Sequence, residues 1–91
     1  MDATLYYEDD RTEKVSSKNG KDFKLEELQH MVNGMIQIVP FNDKLLVCNE
    51  EGKLTGKCKY NMRATMEWIN VYGYTDVMYG NVLICDEAMI E

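Results

Sequence analysis

Histidine, proline and tryptophan each occur once in this 91-residue chain, and cysteine only three times. His30, Cys48, Cys58 and Cys85 are too scattered for a structural zinc centre, which usually draws on two closely spaced ligand pairs. An odd cysteine count without CxxC spacing offers no disulfide framework either. The expectation is small buried thiols in a reducing, cytosolic setting. Long apolar runs are missing as well. LLVC and VLIC, four residues each, fall far short of the roughly 20 that a membrane-spanning helix needs. The opening MDATLYYEDD lacks the basic and then apolar order of a signal peptide. Positive charge is scarce: 10 Lys and Arg against 16 Asp and Glu give a formal net charge of −6. Duplex nucleic acid is therefore not an expected partner, because cationic side chains supply most of that affinity. The acidity serves solubility, or imitates a polyanion toward a basic protein surface.

What is present is enough for one small folded domain. Apolar residues make up 45% of the chain, with six tyrosines and seven methionines, so a core is available and disorder is not expected. The core is expected over about residues 3–86, with 87–91 as a frayed acidic tail. ATLY at 3–6 suits a strand, and a turn at Glu8-Asp9-Asp10 leads to a polar strand near Thr12–Ser16. Leu25, Leu28 and Val32 share one helical face. Asn33-Gly34 supplies a left-handed stop, and Lys24 is a poor residue to start that helix. MIQIVPF and LLVC form a hairpin around Asn42-Asp43, with Pro40 marking an edge or a strand end. Asn61 is a helix N-cap. Met62, Thr65, Met66, Ile69 and Tyr72 make one stripe, and Ala64, Trp68 and Val71 a second, so this helix is expected to be buried over a broad face. Gly73 ends it. VLIC at 82–85, apolar at every position, reads as a central strand. The order β-β-α-β-β-α-β predicts an α+β domain, a mostly antiparallel sheet with two helices on one face.

Several of these segments, taken in order, resemble a known family. LEELQHMVNGMIQIVP, VCNEEGKLTG, Asn61 with Ala64-Thr65, and DVMYGNVLI are similar to the domain of unknown function 3846. The distinctive pieces are the turn Asn49-Glu50-Glu51-Gly52-Lys53 and the Asn-x-x-Ala-Thr run from Asn61 to Thr65. The resemblance implies a setting, an accessory protein of a bacteriophage or mobile element in a bacterial cytoplasm, and implies no activity. Between Gly56 and Asn61 similar proteins are short and apolar, whereas this chain has Lys57-Cys58-Lys59-Tyr60.

No arrangement of residues points to catalysis or to a cofactor. A Cys–His nucleophile needs a site that favours the thiolate and a third, orienting group, and His30 falls at the polar edge of its helix. Glu26-Glu27 and Glu50-Glu51 are sequence neighbours whose side chains diverge on a helix or strand. The one local signal is charge. From Gly52 to Met66 there is no acid, while Lys53, Lys57, Lys59 and Arg63 fall within eleven residues; outside this run the balance is 6 − 16 = −10.

A basic run ending at a helix N-terminus capped by Asn61 can attract a phosphate or carboxylate. The plainer reading is a solvated loop balancing Glu50 and Glu51. Gly52 is read as the residue of positive φ in the turn. The motif residues Asn49, Glu50, Glu51, Gly52, Asn61, Ala64 and Thr65 are read as structural. Two function classes follow. One is a non-catalytic protein that binds a host or phage macromolecule. The other is a binder of a small anionic ligand, such as a nucleotide, through Lys53, Lys57, Lys59, Asn61 and Arg63. A homodimer through the Pro40 edge or the Tyr6-Tyr7 arm is a third expectation.

Overall fold

Strand and helix boundaries fall where side-chain chemistry changes. In a computed structural model, which describes residues 3–52, 56 and 58–90, the order is β1 (Ala3–Tyr6), β2 (Thr12–Lys14), α1 (Leu25–Val32), β3 (Ile36–Phe41), β4 (Lys44–Asn49), α2 (Met62–Tyr72) and β5 (Val82–Asp86). The five strands form one antiparallel sheet in the order β2-β1-β5-β4-β3. This is the expected α+β architecture in the expected element order, with VLIC at the centre of the sheet and Pro40 on an edge strand.

The placement of the helices differs from the expectation. Alternate residues of a strand point to opposite faces, and β5 is buried on both. Leu83 and Cys85 join Ala3, Leu5, Val47, Leu28 and Val32 in one core. Val82 and Ile84 join Leu46, Cys48, Phe41 and Ala64 in another. Leu28 and Val32 belong to α1 and Ala64 to α2, so the helices cover opposite faces and the sheet is the middle layer. The physical reason lies in VLIC itself. A strand apolar at every position leaves a wet apolar face unless both sides are covered, at about 1.5–3 kcal/mol per exposed Leu, Ile or Val.

Local devices explain the helix ends. Lys24 is indeed a poor cap, and α1 compensates by reaching back: the Glu27 carboxylate accepts from the Lys24 backbone N–H at 3.2 Å and from that of Lys18 at 3.1 Å. Such a reach-back from the third helical position is half of a capping box. Asn33, at φ 62°, makes the left-handed stop of α1, as its sequence suggested. Helix α2 starts at Asn61, whose side chain accepts from the Ala64 N–H at 3.0 Å, and ends at Gly73. Its far end is fixed by Phe41, Trp68 and Tyr72, whose rings lie 4.6–6.3 Å apart. The Tyr72 hydroxyl also donates to the Pro40 carbonyl.

Two further expectations change. Residues 87–90 do not fray: Glu87–Met89 form a 3-10 turn, Met89 is buried in the α1-side core, and Ile90 bridges Phe23. Nor is α2 buried over both stripes. Ala64 and Thr65 are its buried residues, and Met62 and Met66 stand 48% and 58% exposed.

Candidate functional site

The runs that carry the family resemblance converge on one end of the sheet. There the Asn49–Gly52 turn, the start of α2 and the segment 76–80 meet. Between the turn and that segment lies a shallow cleft of about 180 Å³, lined by Gln37, Cys48, Glu50, Gly52, Asp76 and Tyr79 among others.

Asn49 ties this turn to α1. Its Nδ2 donates to the carbonyls of Val32 and Asn33 at 3.0 and 3.3 Å, using orphan acceptors at the helix C-terminus. Its Oδ1 accepts from the Glu51 N–H at 2.8 Å, and the Gly52 N–H donates to the Asn49 carbonyl at 3.2 Å. Gly34 makes room for this amide, since a Cβ there would stand 2.7 Å from Asn49 Nδ2. Gly52 is not the residue of positive φ that the sequence suggested. It is buried, and a Cβ would meet the Tyr79 carbonyl at 3.0 Å. Its role is close approach between two backbones. Glu50 and Glu51 point to solvent.

Asn61 is the second fixed point. It is 0% exposed and each side-chain group is used. Oδ1 caps α2, while Nδ2 donates to the carbonyls of Tyr6 at 3.0 Å and Gly80 at 2.7 Å. Its backbone N–H donates to Met78. Thr65, one turn on, accepts the Met78 N–H on its Oγ1 at 2.8 Å. Ala64 is fully buried against the sheet. Asn61 and Thr65 therefore bind β1, α2 and segment 78–80 together, and Asn61 keeps no group for a ligand.

Only part of the basic run falls within the described residues. Lys53 and Lys57 lie outside the described residues. Lys59 and Arg63 are exposed. The backbone N–H of Lys59 is already taken by a carboxylate of the protein itself, Glu8 Oε2, at 2.9 Å. Glu8 is held in turn by its own N–H donating to Asn81 Oδ1 at 3.0 Å. Asp9 pairs with Arg11 at 2.8 Å, which holds its carboxyl below the usual range, and the Arg11 guanidinium also lies 4.3 Å from the Tyr7 ring centre. Of the acidic turn at 8–10, Glu8 and Asp9 are thus engaged internally. Sequence reasoning missed Glu8 as a structural residue because its partner is a backbone N–H 51 positions away, which leaves no side-chain signal.

The thiols match the expectation of small, largely buried groups. Cys48 and Cys85 are buried and Cys58 half-buried, and none of the three is in a disulfide. Burial, with the Asp86 charge second, pushes the Cys85 thiol up to about 11. Burial and then Glu8 raise Cys58 too. A thiol held protonated is a poor nucleophile. His30 is exposed. Among the described residues there is no group of three or more His, Cys, Asp and Glu placed to hold a metal, and no helix is long and apolar enough to cross a membrane.

Comparison with known proteins adds one finding. A family model described as Domain of unknown function (DUF3846) matches residues 2–89. No curated protein and no solved structure matches the chain.

Proposed function

The chain belongs to the family described as Domain of unknown function (DUF3846), and on that premise we propose that it is a non-catalytic accessory protein of a phage or mobile element. In this reading it works in the bacterial cytoplasm and binds a host or phage macromolecule through its surface. One observation supports this best: among the described residues, no buried side-chain nitrogen or oxygen lacks a hydrogen-bond partner. Ligand and catalytic sites commonly hold polar groups that the protein itself leaves unsatisfied. Here the polar side chains of the shared runs, Asn49, Asn61 and Thr65, are spent on the protein's own backbone. Recognition then falls to surface shape and to the net acidity outside residues 52–66.

The alternative, a small anionic ligand at the start of α2, draws on a different observation. The first turn of α2 carries no acid, and Lys59 and Arg63 are exposed beside it. Thermal melting against a panel of nucleotides separates the two. Binding at a hundred times the dissociation constant adds about 2.7 kcal/mol, a clear rise in Tm. The proposal expects no rise with any nucleotide, and a stoichiometric complex with a macromolecule that weakens as salt is raised. A nucleotide-dependent rise that Arg63→Glu abolishes would overturn it.

A further inference from the structure

The outer face of α2 presents apolar side chains that the fold leaves uncovered. Met62 and Met66 are one turn apart and about half exposed, and Tyr60, just before the helix, is 47% exposed. Polar side chains border this stripe. Residues four apart lie within about 40° on a helix, so Arg63 and Glu67 share one flank of the stripe with opposite charges. Glu67 is half-buried, and its carboxylate lies 3.5 Å from the Tyr6 hydroxyl. Among the described residues Arg63 makes no ion pair.

We propose that this face of α2 docks against the same face of a second copy of the chain, the two helices running antiparallel across a two-fold axis that passes the outer side of α2 at the level of position 65. In an antiparallel helix pair each flank meets the same flank of its partner. An axis at position 65 sets position 63 of one helix opposite position 67 of the other. Arg63 then faces Glu67 of the second copy, twice, while Met62 and Met66 of both copies close the apolar centre. The charge pattern is therefore complementary to itself, the requirement of a two-fold contact. An interface of the usual ~800 Å² per partner would take about one-seventh of the 5676 Å² surface.

The fold makes the other routes to self-association less favourable. The Tyr6-Tyr7 arm is not free, because β1 lies between β2 and β5. Edge strand β2 is three residues, all exposed, with Glu13 and Lys14 among them, a short charged edge of the kind that resists pairing. Edge strand β3 carries Pro40, which has no N–H to offer, and the Pro40 carbonyl is occupied by Tyr72. Extension of the sheet across either edge is thus disfavoured, against the expectation of a Pro40-edge dimer.

Sedimentation equilibrium over a wide concentration range tests the proposal. The full chain should show a monomer–dimer equilibrium, with Met66→Glu raising Kd by more than about tenfold. Arg63→Glu and Glu67→Arg should each raise Kd about tenfold, and the double reversal should return it to within about threefold of the native value, as expected for a coupled pair. Tyr6→Phe, which removes the contact of Glu67 with Tyr6, should leave Kd unchanged. Circular dichroism shows that each variant is folded. A monomer at every concentration overturns the proposal, as does a dimer indifferent to Met66→Glu or a double reversal no better than the single ones. Since the readout is self-association alone, the result is independent of whether another macromolecule or an anion binds.

Discussion

Replacing Asn61 with alanine should cost far more than the loss of one helix cap. Loss of an N-cap side chain alone costs about 1 kcal/mol. Here the same side chain also satisfies the carbonyls of Tyr6 and Gly80 at a position that is 0% exposed. Each buried polar group left without a partner adds about 1–3 kcal/mol, and the lower end applies to a carbonyl that keeps a second lone pair. The total is about 3 kcal/mol, a large share of the ~5–13 kcal/mol available to a domain of this size. With a urea m value of ~1 kcal/mol/M, the unfolding midpoint followed by Trp68 fluorescence should fall by about 3 M.

Asn61→Asp sharpens the test. It keeps an acceptor for the Ala64 N–H but turns a carboxylate oxygen toward two carbonyls. Its charged form is then disfavoured in the fold, so its pKa is raised and the lost stability should partly return as pH falls, relative to the native protein at the same pH. A loss in Asn61→Ala below about 1 kcal/mol, what an ordinary surface cap provides, would refute the reasoning.

Other perturbations probe the remaining joints. Gly34→Ala should destabilise by about 1–3 kcal/mol by crowding the Asn49 amide. In a double-mutant cycle with Asn49→Ala the two losses should sum to more than the double variant shows, and strict additivity would disprove the contact. Met89→Ala should cost about 2 kcal/mol, as expected for a buried methionine rather than for a frayed tail; an unchanged urea midpoint would return residues 87–90 to solvent. For Cys85 the folded thiol is raised from 9.0 to about 11, so the unfolded state ionises first. Its stabilising effect is complete below about pH 9 and is lost as pH rises toward 11. Cys85→Ala should flatten the decline in stability over that window, and identical pH slopes for the two proteins would exclude the thiol as its source.

Much of the fold was legible from local chemistry. Leu28 and Val32 a turn apart, Asn33 at a left-handed stop, Pro40 at an edge and Asn61 before an apolar stripe each act through neighbours within about four residues. Short-range patterns record such effects, and the element order followed from them. VLIC went further, since a strand apolar at every position must be central. The same fact required cover on both faces of the sheet, a consequence that only the two separate cores made explicit.

The features that depend on three-dimensional contact involve partners distant in sequence. Asn49 reaches Val32, Asn61 reaches Tyr6 and Gly80, and Glu8 reaches the Lys59 backbone. The acceptors or donors in these bonds are backbone groups, which every residue type but proline carries in full, so no side-chain pattern announces them. Gly52 shows the same limit: a glycine in a turn suggests positive φ, yet its use is room for the Tyr79 carbonyl. Amphipathic periodicity likewise identified two apolar stripes on α2 and led to the expectation that both would be buried. Packing buried Ala64 of one stripe and Thr65 of the other, half-buried Trp68 and Val71, and left Met62 and Met66 outside. The sequence determined which segments could form and where each would end; the tertiary structure determined which polar groups are spent internally and which apolar ones remain to meet a partner.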